Sequence, residues 1–451
     1  MLLLRGGIAV TPEGCEPRDI YMENGKIVSP GTPDEIRDVT GMLLFPGFID
    51  SPTHLQMPGS GTWTADDFAT GTAAAVVGGT TVILDFATQD RGSTLTDALA
   101  LWHSRADGHC SCDYGFHMAV TDWNEATRKE LRTMPAAGVT SFKAYMAYDA
   151  LRLTDDELRE LLRETGRLGC PVGVHCELGD EVTARVAVLL STGKTGPEYH
   201  PLSRPNAVEG DAVTRLMTLA AEAGGVPWVV HLSTAEGLEA IRRARSAGQR
   251  VLVETCPQYL TLTDSAYSEP DFAGAKYVCS PPLRSFEDMD ALWGAAEDGE
   301  IDIISTDHCS FNFRGQKELG RGDFSKIPNG LPGIELRPAL LWSCGVAEGC
   351  LRPEDMCRLL SEAPAKAFGL YPRKGCLTIG SDADIVVWDP NYRGTVRAEN
   401  LETNCDYTPW EGFALSGRAR QVYLRGELTA ENGKCLVRGR GKYLRRALPT
   451  E

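Results

Sequence analysis

The chain has 451 residues, 42% hydrophobic and 24% charged, the proportions of an ordinary globular protein rather than a disordered or low-complexity one. Its formal net charge of −17 argues against nucleic-acid and anionic-membrane partners, which select basic surfaces. The opening MLLLRGGIAV is too short an apolar run for a signal peptide, and no stretch approaches the roughly 20 apolar residues of a membrane span.

In chain order, residues 1–45 read as short strands and turns: GGIAV, DIYMENGKIVSP and GMLLFPG. The ENGK at 23–26 is a hairpin signal, Asn-Gly between alternating apolar segments. LLFPGFID at 43–50 then opens a series of strand candidates. The series continues through TTVILDF (80–86), DYGFHMAV (113–120), VTSFKAYM (139–146), CPVGVH (170–175), VPWVVH (226–231), RVLVETC (250–256) and IDIISTDH (301–308). Helical patterns separate most of them, such as TDDELRELLRETGRLG (154–169) and GLEAIRRARSAG (237–248), the latter closing on the C-cap signal Gly248. Eight strands alternating with helices predict a (β/α)8 barrel. An open doubly wound sheet is the alternative, weakened because no Gly-rich phosphate loop follows any strand. The C-terminal part returns to strands, GSDADIVVWDP (380–390) and QVYLRGELTAENGKCLV (421–437). The expected division is a barrel over 49–375 and one small β-sandwich built from 1–48 and 376–451, the last segment ending in a tail. The fourteen cysteines are scattered with no CxxC pair, which reads as reduced, mostly buried thiols in a cytoplasmic protein.

Polar residues gather at the ends of those strands. His54 follows the first, Lys143 lies late in VTSFKAYM, His175 and His231 close their strands, and Asp307 closes IDIISTD. In a (β/α)8 barrel all these ends converge on one face, where active sites form. The chain has only eight histidines, and three of them stand here. A single strand-end histidine is more often structural; three on one rim with an aspartate point to zinc or a similar divalent ion. An unmodified Lys143 ammonium would repel such an ion, whereas a lysine carbamate would be a carboxylate able to bridge two.

The phrases FPGFID, PTHLQMP, GGTT, DYGFHMA, SFKAYMAY, VHCELGD, VHLS, ETCPQYL, SPPLR, STDHCSF, KIPNGLPGIE and DYTPWEG occur in order over most of the chain. In them the sequence resembles the dihydropyrimidinase and hydantoinase group of the amidohydrolase superfamily. The resemblance implies metal-dependent opening of a small cyclic amide, a hydantoin or dihydropyrimidine, by a hydroxide held between two metals, in a barrel enzyme that is often a homotetramer. It implies that Lys143 is the carbamylated lysine, that His175 and His231 hold one metal, and that His54 and Asp307 hold the other. It further implies that Tyr148 stabilises the oxyanion and that Asp307 shuttles the proton. Ser280 and Asn329 then hold the cyclic amide through their backbone groups. His308 is read as a structural neighbour of Asp307.

One position departs from the pattern. The family motif is His-x-His, and here Pro52 stands where the first histidine belongs. Proline offers no ligand, Ser51 should face away, and Asp50 lies one layer deeper on the same face. One firm and one weaker metal position are expected. Two alternatives follow from the same family: a catalytically impaired member acting in assembly, like the collapsin response mediator proteins, and an allantoinase-like hydrolase. The retention of His54, Lys143, His175, His231, Asp307 and Tyr148 weighs against a scaffold. Trp63, Leu151 and Leu153 are the expected lining of the substrate side-chain pocket.

Overall fold

The structure, a computed structural model, describes residues 1–59 and 61–448. Eight parallel strands form one sheet: β1 (Phe48–Thr53), β2 (Thr80–Thr88), β3 (Asp113–Ala119), β4 (Phe142–Tyr145), β5 (Val172–His175), β6 (Pro227–Val229), β7 (Leu252–Thr255) and β8 (Ile303–Ile304). Each pairs with its neighbour in sequence. A parallel bridge between Thr53 and His308 closes the cylinder, and the His54 N–H donates to the His308 carbonyl at 2.8 Å. Both faces of such a sheet are covered, which is why these strands read as apolar runs rather than alternating patterns. The (β/α)8 barrel is thus present.

Helices connect the strands, and their ends follow local chemistry. Asp155–Arg167 begins at Thr154, whose hydroxyl accepts from the Glu157 N–H while the Glu157 carboxylate accepts from the Thr154 N–H. It buries Leu158, Leu161, Leu162 and Thr165, spaced to lie on one helical face. Ala235–Ser246 starts at Thr234, whose hydroxyl accepts from the Gly237 N–H at 3.0 Å, and is followed by Gly248 at φ +84°.

The strand expected over LLFPGFID is two strands. Leu43–Pro46 pairs antiparallel with Ile385–Trp388 in the sandwich, and Phe48 begins the barrel. Gly47 makes the crossing possible, since a Cβ there would stand 2.1 Å from the Thr81 hydroxyl. Strands from both termini build the sandwich: one sheet of seven strands and one of four. The ENGK turn is a hairpin, with Asn24 at φ +51° and Gly25 at +79°.

A buried ion cluster ties the two parts together. The Lys374 ammonium donates to Asp113 of β3 at 2.7 Å and to Asp384 of the sandwich at 2.6 Å. Removing one partner of such a cluster typically costs about 3–5 kcal/mol, because a buried charge is left alone. The C-terminal segment also returns to the barrel, which the sequence did not announce. Leu444 N–H donates to the Tyr114 carbonyl, and buried Arg446 reaches the Ser141 hydroxyl and the Phe116 carbonyl. Among the described residues no helix is long and apolar enough to cross a membrane.

Candidate active site

The C-terminal ends of the barrel strands open into a cavity of about 420 Å³. His54, Lys143, Tyr148, His175, His231 and Asp307 all line it, so the residues picked out by strand-end position do converge. Three of them, Tyr148 (φ +67°), His231 (+42°) and Asp307 (+50°), hold left-handed backbone conformations. Each costs on the order of 1–3 kcal/mol for a non-glycine residue, and such strain gathers at functional sites.

The titratable groups face each other in two pairs. His175 Nδ1 lies 3.0 Å from His231 Nε2, and His54 Nε2 lies 3.1 Å from the Asp307 carboxylate. Two donors of one tetrahedral zinc, each about 2.0–2.1 Å from it, stand roughly 3.3 Å apart, so both pairs fit a shared ion. Among the described residues no three His, Cys, Asp or Glu side chains group closely enough to hold an ion by themselves. A third ligand for either pair must come from elsewhere, and Lys143 shares the cavity with both. Burial lowers the Lys143 ammonium to about 8, against the pull of Asp307 and Glu254. At that value roughly a tenth of the amine is neutral at pH 7, far more than for an ordinary lysine, and the neutral form is the one that adds CO2 and loses a proton to become a carbamate.

The imidazoles are suited to metal. Burial lowers His231 well below its usual value, with His175 and Lys143 adding to the effect, and burial likewise lowers His175. Neutral rings keep a lone pair for coordination. Burial alone would raise Asp307, but His54, His231 and Lys143 outweigh it and hold the carboxyl at about 2. Burial pushes the Tyr148 phenol up to about 12, opposed by Arg204. Tyr148 therefore stays protonated at neutral pH and able to donate.

Pro52 is buried near the C-terminal end of β1, and its two polar strand neighbours Ser51 and Asp50 are engaged elsewhere. Ser51 is engaged with His117 Nε2 at 2.7 Å. Asp50 accepts from the Thr306 N–H and hydroxyl at 2.8 and 2.7 Å and faces Arg337 at 3.4 Å, so it is committed beneath the site. His308 is structural as expected: its Nε2–H donates to Asp66, and its Nδ1 accepts from the Gly333 N–H. Of the expected side-chain lining, Leu151 faces the cavity. Trp63 does not; it is half exposed and stacked beneath Arg105. Leu153 is buried in the core behind the rim. Both miss because a position after a strand does not fix which way a loop side chain turns.

Sequence reasoning overlooked Glu177. Its buried carboxylate accepts from His175 Nε2 at 2.7 Å and is paired with buried Arg204. The carboxylate thereby fixes the His175 tautomer and turns Nδ1 toward His231. The only sequence signal was its place in VHCELGD, two residues past a candidate ligand. Across the cavity Ser280 and Asn329 both line the wall, and the buried Ser280 Oγ and Asn329 Oδ1 have no hydrogen-bond partner among the described residues. Polar atoms left so in a buried wall are suited to an incoming polar ligand.

Residues 43–429 match the amidohydrolase family. The chain is 42% identical to the D-hydantoinase of Streptomyces coelicolor, the alignment covering 99% of this chain and 98% of that one. It is also 42% identical to the D-hydantoinase of Geobacillus stearothermophilus, covering 99% and 96%. The crystal structure of dihydropyrimidinase from Brevibacillus agri superimposes with a TM-score of 0.98 at 42% identity, over 100% of this chain and 99% of that one. The chain belongs to the amidohydrolase family, a metal-dependent class, in its D-hydantoinase and dihydropyrimidinase group.

Proposed function

We propose that this protein hydrolyses a C–N bond of a small cyclic amide, opening a hydantoin or dihydropyrimidine ring. The observation that carries the reading is the buried Lys143 sharing one cavity with two facing ligand pairs, in a chain similar over its whole length to D-hydantoinases. His175 and His231 would hold one divalent ion, zinc by its donor set, and His54 and Asp307 a second, with Lys143 as the shared carbamate. When bound, such ions supply Lewis acidity, lowering the pKa of water and polarising a carbonyl.

The protein's own groups do the rest. The backbone groups of Ser280 and Asn329 hold the ring's amide edge at the cavity wall. Tyr148 donates its hydroxyl hydrogen to the carbonyl oxygen as charge develops there, a contact typically worth about 3–4 kcal/mol. Asp307, ionised at neutral pH, takes the proton of the attacking water on its carboxylate and delivers it to the departing ring nitrogen. Leu151 offers an apolar wall to a ring substituent. The two ion positions are unequal, because Pro52 removes one imidazole from the His54 and Asp307 side. We also infer a homo-oligomer, a tetramer or dimer, which sedimentation would measure.

The test is turnover of a panel of hydantoins and dihydropyrimidines by metal-replete protein, with intact mass read for a CO2 adduct on Lys143. Ring opening with the adduct present supports the reading. No turnover on any member of the panel by fully metallated protein would overturn it and favour the assembly-protein alternative.

A further inference from the structure

Lys317 is wholly buried, and it is not part of the chemistry described so far. It begins a short helical turn, Lys317–Gly320, outside the barrel strands. Its Nζ donates to three backbone carbonyls: Val278 and Pro328 at 2.7 Å and Gly330 at 2.8 Å. An ammonium has three N–H donors, and all three are used. Among the described residues no carboxylate pairs with it; its titratable neighbours are the thiols Cys279, Cys309 and Cys405. A buried cation with no counter-charge is expensive unless its hydrogen bonds are complete, so the lysine has a specific task in holding those carbonyls.

The carbonyls identify the task. Val278 lies two residues before Ser280, while Pro328 and Gly330 flank Asn329. The two segments are also joined directly, Gly330 N–H donating to the Val278 carbonyl at 3.1 Å. Ser280 and Asn329 face the cavity, and neither the Ser280 carbonyl nor the Asn329 N–H takes part in a backbone hydrogen bond among the described residues. One side chain therefore gathers the two segments whose free polar groups meet the substrate. His200 Nε2–H also donates to the Cys279 carbonyl at 2.7 Å. A tight fit limits adjustment, since a Cβ on Gly330 would stand 2.4 Å from the Cys309 carbonyl.

We propose that Lys317 is a positioning residue for substrate binding, an internal clamp that sets the spacing between the Ser280 and Asn329 segments. It touches neither substrate nor metal. The proposal rests on the ring-opening reading above, and it separates two parameters. A misplaced amide edge weakens binding before chemistry, while the Lys143, Asp307 and Tyr148 groups stay where they are.

The experiment uses metal-replete full-length enzyme and the best substrate of the cyclic-amide panel. In Lys317→Met the stem is kept and all three donors are lost. KM is expected to rise about tenfold or more while kcat per folded, metallated chain stays within about threefold. Lys317→Gln keeps two N–H donors and should show a smaller KM rise in the same direction. Unchanged KM in either folded variant overturns the proposal, as does a fall in kcat alone, the mark of a merely structural lysine. Should neither variant fold, hydrogen exchange of the native enzyme decides. The amides of Val278, Cys279 and Ser280 and of Asn329, Gly330 and Leu331 must then show a common opening rate, within about threefold, because one opening frees both segments; clearly separate rates overturn the clamp. Turnover by the unaltered enzyme is the control: its absence refutes the ring-opening reading, whereas its presence with an unaffected Lys317→Met refutes only the clamp.

Discussion

The two sides of Lys143 are built differently. On one side, His175 and His231 are both deeply buried, and His175 is braced by Glu177, which is itself braced by Arg204. On the other, His54 and Asp307 meet nearer the opening, with side chains 13% and 18% exposed against 4% for His175. That second side also carries Pro52 where a third donor would stand. Under the proposed assignment, the contrast teaches that a paired site can lose a ligand on its open side while its closed side keeps both candidate ligands and their support. Asp307, the residue proposed to move substrate protons, belongs to the side proposed to be the weaker.

The largest expected effect comes from Asp307 itself. Asp307→Asn keeps hydrogen-bonding capacity toward His54 but cannot accept a proton. Ring-opening kcat/KM should fall by about 10³-fold or more with the fold retained by circular dichroism. Near-normal turnover in a folded variant would remove Asp307 from the proton path.

Glu177→Gln should make the closed side resemble the open one. Metal affinity at the His175 and His231 pair is expected to drop about 10–100-fold, the usual range when a histidine ligand loses its carboxylate support. Arg204 would also lose its buried partner, so a lowered thermal midpoint should accompany the change. Unaltered metal retention would show that the bracing is irrelevant to binding.

Pro52→His works the contrast from the other end. Restoring an imidazole should tighten the weaker metal by about tenfold, and should raise activity where that metal limits turnover. Removing the fixed proline φ near −65° lets the backbone relax and reduces the gain. Elemental analysis after dialysis measures the occupancy; no increase would mean that the position cannot present a ligand.

The smallest effect concerns the scaffold behind the substrate wall. Burial holds His200 neutral, at about 3 rather than the ordinary 6.5, with Arg204 adding to the effect. A folded-state value below the unfolded one contributes stability that is fully present above pH 6.5 and is lost as pH falls toward 3. His200→Gln keeps a side-chain N–H donor for the Cys279 carbonyl without that titration, so its thermal midpoint should change less between pH 7.5 and 5 than that of the unaltered protein. Equal slopes would place the acid sensitivity elsewhere.

Much of this was legible in the sequence because a parallel barrel writes itself in local patterns. Buried strands give apolar runs, and the candidate ligands sit at their ends, so His175, His231 and Asp307 could be found by position. Pro52 was legible because one motif residue is missing from a fixed spacing. What stayed hidden depends on approaches between distant segments. The break at Gly47 is set by the Thr81 side chain, and the Arg446 return to the barrel joins residues far apart in sequence. Lys317 reads as one more surface cation until three carbonyls are seen around it. Trp63 and Leu153 were misplaced for the same reason: loop orientation is decided by packing, not by distance from a strand.

Metal content of the unaltered protein, measured by elemental analysis across a chelator series, tests the central claim most directly. The account predicts two steps, with about one ion per chain lost under mild chelation and the second retained until far stronger treatment. Two ions leaving together, equally tightly held, would contradict it and would mean that the side carrying Pro52 has a ligand as good as the imidazole it lacks.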